Sequence, residues 1–449
     1  MPPALSAVPD SGPPVASSLR RDRDFRRLWW GQTASQLGEH TTLVILPLYA
    51  VLMLGLDPAG LGVLRAVGQA PVLLLTLFVG AWVDGWRTRT VMVLTDGGRA
   101  IVLGAAASLA LLGEFGPAAL CLTAFAVGVL SVFFDVAYQA SLVRLVPRDL
   151  LVRGNSALEG SRSSAQIGGP ALGGALVSLL SAPLAMASGA LFFALSCVSV
   201  RRIRRGERVP RRTERQPPVR RRILEGLRLV LGDSSLRVIC LASAVFQFSF
   251  AALMTVHLLF LPRELHLSGT AVGLALAASG PGALLGSVLA ATLPKRFGYG
   301  VVLVCAAAIG DGAFLCVPGL HGSPAATLPA LLVVGFVFGA GGQVVNVAVM
   351  AIRQSLTPDG MQARAAATIT FVGMGLTPLG SVLGGVLAEE WGLRTGLLVA
   401  AAGMLLSPAV IALSPLTRLG RALPDVPGER APGRCEGPGT GGAASPAAG

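Results

Sequence analysis

Charged residues are scarce in this sequence. They make up 13% of its 449 residues, against about 25% in soluble domains, whereas 53% of the residues are hydrophobic. A chain of this composition would expose too much apolar surface to stay in water as a globular domain. The composition therefore argues against an ordinary soluble fold and favours a membrane protein.

The residue patterns of enzymes and metal sites are also missing. The six cysteines are scattered without a CxxC pair, and the four histidines are dispersed along the chain. Neither set has the spacing of a metal site or of a disulfide framework. No glycine-rich Walker loop is present to bind ATP. We therefore predict that the protein is not an enzyme and uses no metal and no cofactor.

Long apolar runs are what the sequence has in place of such motifs. Runs of about 20 residues, the length that crosses a bilayer, recur along the whole chain. They are continuously apolar rather than alternating, which favours helices over a β-barrel. We predict an all-α membrane protein with twelve transmembrane helices near residues 30–54, 60–82, 91–112, 117–140, 158–180, 183–200, 237–261, 270–293, 300–318, 327–350, 366–388 and 395–415.

The basic residues fall on alternate sides of these spans. Of the 36 lysines and arginines, 31 lie in the two terminal segments and the even-numbered loops, whereas the odd-numbered loops hold only Arg263 and Arg394. Basic loops remain in the cytoplasm, so we expect a multi-pass plasma membrane protein with both termini inside. The net charge of +13 then reflects topology and contact with the lipid bilayer, and we expect no nucleic-acid partner.

The chain contains one six-span unit twice. Gln36 and Gln247 are 211 residues apart, and so are Gly62 and Gly273 and several further pairs of glycine, proline and arginine. A constant offset of this kind predicts two parallel six-helix pseudo-repeats. We expect a cytoplasmic N-terminal arm (1–28), a first bundle (29–200), a cytoplasmic central loop (201–236), a second bundle (237–416) and a disordered cytoplasmic tail (417–449).

Several motifs resemble a known family. The segment from Gly80 to Arg89 (GAWVDGWRTR) is similar to the loop motif of the major facilitator superfamily. The segments 133–174 and 346–385, including NSALE at 155–159 and TPD at 357–359, resemble its drug:proton antiporter branch, which includes the enterobactin exporter and macrolide efflux proteins. Gly169 to Gly174 (GPALGG) resembles the antiporter motif of span 5.

This resemblance implies the major facilitator fold and a small-molecule substrate held between the two halves. The implied function is secondary active export of amphipathic small molecules by a monomer, coupled to protons or another ion. An importer or facilitator of the same fold remains an alternative, as does a non-transporting scaffold or sensor. The resemblance also suggests a cytoplasmic gate formed by charged and loop residues: Gly80, Asp84, Arg89, Asp96, Arg99, Arg153, Glu159, Arg162 and Arg364.

The spans hold glycines at packing spacing, four residues apart. They suit either static helix contacts or a surface that slides during alternating access. The conformational candidates are Gly169, Pro170, Gly173, Gly174, Gly380, Gly384 and Gly385.

Ionisable groups within spans are costly and therefore mark candidate sites. Glu39 and Asp135 are the candidates for proton coupling, although Asp135 could instead pair with a neighbour and Glu39 could pair with Arg65. His257 and Asp311 lie near predicted span ends, where interfacial solvation is the expected role. The candidates for the substrate cavity are Gln36, Arg65, Gln247 and Asn346, and helix–helix hydrogen bonding is the alternative for the two glutamines.

Overall fold

A computed structural model describes residues 22–83, 86–145, 150–204, 219–357 and 361–421. Every regular element in these ranges is helical, which confirms the all-α prediction. Six helices form the first bundle, here called the N half: α1 (Arg23–Leu52), α2 (Pro58–Val83), α3 (Thr88–Leu111), α4 (Pro117–Leu145), α5 (Leu151–Leu180) and α6 (Ala182–Arg201).

The second bundle, here called the C half, contains more breaks in its helices. Its seventh and tenth spans are single helices, whereas its eighth and eleventh are each built from two consecutive helices. The elements are α8 (Ser234–Arg263), α9 (Gly269–Ala277), α10 (Ser279–Phe297), α11 (Tyr299–Gly312) with a 3-10 turn (Ala313–Gly319), α12 (Pro324–Leu356), α13 (Gln362–Gly375), α14 (Thr377–Met404) and α15 (Leu406–Ala412). Gly392 interrupts α14 with φ 82° and ψ 160° and so divides spans 11 and 12.

Helix boundaries repeat at the offset of 211 residues. The helices α1 and α8 share both boundaries at this offset, α2 and α9 share their first residue, and α6 and α15 share their last residue. The break between spans 5 and 6 repeats as well, because Ser181 has φ 89° and ψ 157°, close to the angles of Gly392. Asp22 and Asp233, also 211 residues apart, cap α1 and α8 by accepting hydrogen bonds from two backbone N–H groups each.

Nine helical stretches among the described residues are long and apolar enough to cross a membrane. The last, Ala367–Ala412, has 46 residues and is long enough for two passes of about 20 residues each. The helices α1 and α5 are not among these nine stretches. They have 30 residues each, enough to cross a membrane, but contain more polar side chains. Together these helices supply the twelve predicted spans.

The segment between the halves contains one element that the sequence did not predict. Val219–Gly232, expected as part of a loop, forms the amphipathic helix α7 and packs against α8 and α13. Its exposed side chains include Leu224, Leu227 and Leu231. The remainder of this predicted loop from 205 to 218, the arm at 1–21 and the tail at 422–449 lie outside the described residues.

Two pairs of helices make most of the contact between the halves. The N-half helix α2 packs against α14 of the C half, and the N-half helix α5 packs against α9 of the C half. These pairs are equivalent under the repeat, since spans 2 and 8 correspond and spans 5 and 11 correspond. The two bundles therefore contact each other through helices that are equivalent under the repeat.

Candidate transport site

Four glycines form close backbone contacts between the halves, and we call them the glycine seam: Gly62, Gly174, Gly273 and Gly385. A Cβ on Gly174 would lie 2.9 Å from the Cα of Gly273, and a Cβ on Gly62 would lie 3.2 Å from the Cα of Gly385. Gly273 lies in the first half of span 8 and meets the last part of α5, whereas Gly62 lies near the start of α2 and meets α14 shortly before its break at Gly392. No larger side chain fits at these crossings without moving the halves apart.

The other predicted glycines pack within a half rather than between halves. Gly169 and Gly173 lie against His40 and Thr41 of α1. Gly380 and Gly384 lie against Phe248 and Ala252 of α8 in the same way. Pro170 belongs to the seam side, because a Cβ on Gly273 would lie 2.5 Å from its carbonyl oxygen. The motif in each half thus combines contacts inside the half with contacts at the seam.

A buried ionic cluster occupies the interior of the N half. The Arg99 side chain is 0% exposed and forms an ion pair and hydrogen bond with Asp96, one turn earlier in α3. Its guanidinium also donates to the hydroxyls of Ser35 (3.0 Å) and Ser131 (3.1 Å), and Ser196 donates to Asp96. These side chains bring α1, α3, α4 and α6 together around one charge.

Two aromatic rings enclose the same guanidinium. Its central carbon lies 4.5 Å from the ring centroid of Phe134 and 4.3 Å from that of Phe193. Rings at this distance attract a cation through their quadrupole. The three serines and two phenylalanines around Arg99 were not predicted. A signal was present in the sequence, because Ser35 and Glu39 are one turn apart in α1, as Asp96 and Arg99 are in α3.

Glu39 joins this cluster. Its carboxylate lies 3.6 Å from Arg99 and its side chain is 24% exposed, while its Oε2 is buried without a hydrogen bond. The alternative pairing of Glu39 with Arg65 is therefore wrong, because Arg99 from α3 takes that position. Among the described residues Arg65 forms no ion pair, and its Nε is buried without a hydrogen bond. Asp135 is partly buried within electrostatic range of Glu39 and Arg99.

The described members of the predicted cytoplasmic gate do not form one network. Asp96 and Arg99 were assigned to it, but both are 0% exposed, since they lie more than two turns into α3. Arg89 instead donates to the carbonyl of Arg201 at the end of α6. Arg153, Glu159 and Arg162 are exposed along α5. Asp84 and the surroundings of Gly80 and Arg364 lie outside the described residues.

The C half contains a cavity of about 250 Å³ between α8, α11, α12 and α15. Gln247 and Asn346, both predicted for a substrate cavity, line it together with Asp311. Asp311 is only 4% exposed, so the expected interfacial role is wrong. Packing of α11 against α12 and α15 encloses the Asp311 side chain within the C half. Gln36, the N-half counterpart of Gln247, is buried in α1.

A second, smaller cavity of about 100 Å³ lies nearby in the C half and is mainly apolar. The rings of Phe250, Phe314 and Phe338 line it, and His257 meets Phe314 edge to face at 5.5 Å. His257 is 4% exposed and its Nδ1 has no hydrogen bond. The interfacial role expected for His257 is therefore also wrong, because its ring is buried against Phe314 inside the C half.

Comparison with known families and sequences gives one consistent result. The family described as transmembrane secretion effector, of the major facilitator superfamily (MFS), matches residues 16–427. The multidrug efflux pump Tap of Mycolicibacterium fortuitum is 27% identical over 392 residues, covering 85% of this chain and 93% of the pump. An uncharacterised MFS-type transporter of Mycobacterium tuberculosis is 27% identical over 383 residues, covering 78% and 81%.

Solved structures share the fold at low sequence identity. A mutant of the nucleoside transporter NupG superposes with a TM-score of 0.71 at 14% identity, covering 87% of this chain and 99% of that one. A bacterial homologue of the iron transporter ferroportin superposes with 0.70 in its inward-facing state, at 17% identity and 87% and 98% coverage. In its outward-facing state it gives 0.56, at 19% identity and 87% and 99% coverage.

Proposed function

Since this chain belongs to the transmembrane secretion effector family of the major facilitator superfamily, we propose that it exports amphipathic small molecules by alternating access, driven by proton entry. The family match confirms the resemblance seen in the sequence motifs, and the protein is a multi-span membrane transporter, not an enzyme. In this proposal it works as a monomer in the plasma membrane with both termini in the cytoplasm. The efflux activity named for the relative Tap supports the direction of transport.

The observation that carries proton coupling is an imbalance of charge inside the N half. Three carboxyls, those of Glu39, Asp96 and Asp135, lie near the buried guanidinium of Arg99, and the exposed guanidinium of Arg162 is within electrostatic range of Asp135. The carboxyls therefore still outnumber the guanidinium groups. Arginine does not release its proton, so Arg99 supplies a fixed positive charge. Asp96 is held by Arg99 and Ser196, whereas Asp135 has no ion pair or hydrogen bond with the described residues.

Glu39 and Asp135 are therefore the groups that can exchange a proton. Uptake of one proton removes a negative charge that Arg99 does not compensate, and its release restores that charge. A group that alternates in this way can link proton movement to a conformational change. One elementary charge crossing 100 mV of membrane potential yields about 2.3 kcal/mol, which is enough to bias a two-state equilibrium.

The closed glycine seam supports an inward-facing assignment for this conformation. With the proposed topology, α2 and α9 begin at the outer surface, so the halves meet on the outer side. The better superposition on the inward-facing ferroportin homologue agrees with this assignment. Export would then require the seam to open after substrate enters from the cytoplasm.

The test is substrate-induced proton movement in everted membrane vesicles. A pH-sensitive fluorescent dye reports the gradient while antibiotics and siderophores are added one at a time. We expect at least one compound to release protons from vesicles that contain the wild-type protein but not from empty ones. Glu39→Gln, Asp135→Asn and the double variant should lose this response, because the amides keep the shape and cannot carry the charge.

Glu114→Gln is the matched control, because Glu114 is an exposed carboxyl in the turn between α3 and α4. It should respond as the wild type does. Retention of gradient-driven efflux by the double variant would overturn the assignment to Glu39 and Asp135. Net accumulation of the compound in cells that make the protein, compared with cells that do not, would indicate an importer.

A further inference from the structure

The C-half cavity lies at the position that the Arg99 side chain occupies in the N half. Gly310 is the residue 211 positions after Arg99, and it has no side chain to fill the equivalent space. Three partners around that space have also become smaller: Asp96, Ser131 and Phe134 are replaced by Ala307, Gly342 and Val345, which line the cavity. Ser35 is replaced by the larger Phe246, which brings an aromatic ring to the cavity wall.

The polar groups of this cavity are suited to a cation. Asp311 is 4% exposed, lines the cavity and forms no ion pair or hydrogen bond with the described part of the chain. A buried carboxylate without a partner is costly, and a positive charge in the cavity would compensate it. Ser407, which corresponds to Ser196 of the N-half cluster, and the amides of Gln247 and Asn346 offer further hydrogen-bond acceptors around the cavity.

We propose that this cavity, here called the Asp311 cavity, binds the guanidinium-like cationic head group of the transported molecule. The head group would take the place that the Arg99 guanidinium has in the other half. Phe246 lines the cavity and would supply the ring contact that Phe134 supplies to Arg99. The identity of the bound group as transported cargo rests on the proposed export function, but binding itself does not.

The size of the cavity fits a head group better than a whole drug. Its volume is about 250 Å³, whereas pockets for drug-sized ligands measure roughly 300–1,000 Å³. An apolar stem attached to the cation would extend from the Asp311 cavity toward the space between the halves. This arrangement matches an amphipathic cation.

Equilibrium binding to the purified full-length protein in lipid nanodiscs tests the proposal. The probe is n-butylguanidinium, which reproduces the end of an arginine side chain, and n-butylurea is its neutral analogue of the same shape. Isothermal titration calorimetry should show that the cation binds at least about tenfold more tightly than the urea, a difference of about 1.4 kcal/mol. Asp311→Asn should remove this preference, because the amide keeps the shape of the side chain but not its charge.

Gly310→Arg provides a test in the opposite direction. The added guanidinium should fill the Asp311 cavity, abolish binding of n-butylguanidinium and raise the thermal stability of the protein. Gly310→Ala is its control, because a Cβ there would lie 3.3 Å from the Cα of Gly341, a contact that needs only a small adjustment. This control should retain binding. If Gly310→Arg does not fold, Asp311→Asn alone decides the question.

Equal affinity for the cation and the urea would overturn the proposal, as would wild-type binding by Asp311→Asn. These outcomes leave proton-coupled export untouched, because the vesicle assay does not use the probe. Conversely, binding that depends on Asp311 in a protein without substrate-induced proton movement would count against the proposed function and not against the cation site.

Discussion

Gly174 in α5 and Gly273 in α9 meet across the two halves so closely that a Cβ on Gly174 would lie 2.9 Å from the Cα of Gly273. The same relationship recurs between Gly385 and Gly62, each 211 residues from its counterpart. The two contacts are thus equivalent under the internal repeat. The halves therefore touch at one end of the molecule, and in the proposed mechanism of alternating access these contacts separate and re-form.

Gly174→Ala should shift the conformational equilibrium toward the state in which the seam is open. The new methyl group would lie 2.1 Å from the carbonyl oxygen of Gly269, and backbone cannot move aside as a flexible side chain can. Overpacking of this kind costs about 1–3 kcal/mol, which changes a two-state population about 5- to 150-fold. Spin labels at Glu114 and His321 lie in different halves on the side of the seam. Pulsed electron paramagnetic resonance should show a longer distance between them than in the wild type.

Gly168→Ala is the control for this change. Gly168 lies in the same helix, but nothing lies within 4 Å of the position that its Cβ would take. The distance distribution of this variant should equal that of the wild type. An unchanged distribution in Gly174→Ala would show that the seam does not hold the closed state.

Gly384→Ala should destabilise the C half without favouring either state of the transporter. Its Cβ would lie 2.4 Å from the carbonyl oxygen of Ala252 within the same half, so we expect a loss of about 1–3 kcal/mol. Thermal unfolding of the purified protein measures this loss. Gly104→Ala in α3 has open space around it and should unfold at the wild-type temperature or above it. Equal unfolding temperatures for both variants would contradict the assigned contact.

Arg99→Met should be the most damaging of these substitutions. It leaves Asp96 and Glu39 in the interior without their counter-charge, and removal of one partner from a buried pair costs about 3–5 kcal/mol. The unfolding temperature should therefore fall strongly. Arg99→Met combined with Asp96→Asn should recover part of the loss, because the amide removes one of the stranded charges.

Arg221→Gln is the surface counterpart of that experiment. Arg221 pairs with Glu225 at 3.0 Å on α7, but its side chain is 71% exposed. Exposed pairs contribute about 0–1 kcal/mol, so the unfolding temperature should change little. If Arg99→Met were equally mild, the interior ion pairs would not stabilise the N half.

The repeat at an offset of 211 residues predicted the division into two six-helix bundles with equivalent helices. Helix boundaries follow from local sequence, and a repeated unit reproduces them, as in the caps formed by Asp22 and Asp233. The matched glycines were also visible in sequence. Their division into seam and internal packing was not, because Gly173 and Gly174 are neighbours in the chain and face different helices.

The partners of charged groups could not be predicted in the same way. Glu39 and Arg99 belong to different helices and meet only when α1 and α3 pack, so depth along the span suggested Arg65 instead. The burial of Asp311 also depends on helix packing, because α8, α12 and α15 enclose the side chain that α11 carries. The Asp311 cavity depends on what Gly310, Ala307 and Gly342 lack, and such a void becomes visible only when four helices are assembled.

Cysteine labelling in intact cells should place the segment between the halves in the cytoplasm. The arginine-rich segment from 201 to 237 holds thirteen arginines, and basic segments are retained inside. In a background without native cysteines, Ser323→Cys and Arg221→Cys offer two positions that are both exposed in the structure. A membrane-impermeant maleimide should react with the first alone. After permeabilisation both should react, which shows that each thiol is accessible to the reagent. Reaction of Arg221→Cys alone in intact cells would reverse the orientation, and the glycine seam would then close the cytoplasmic side.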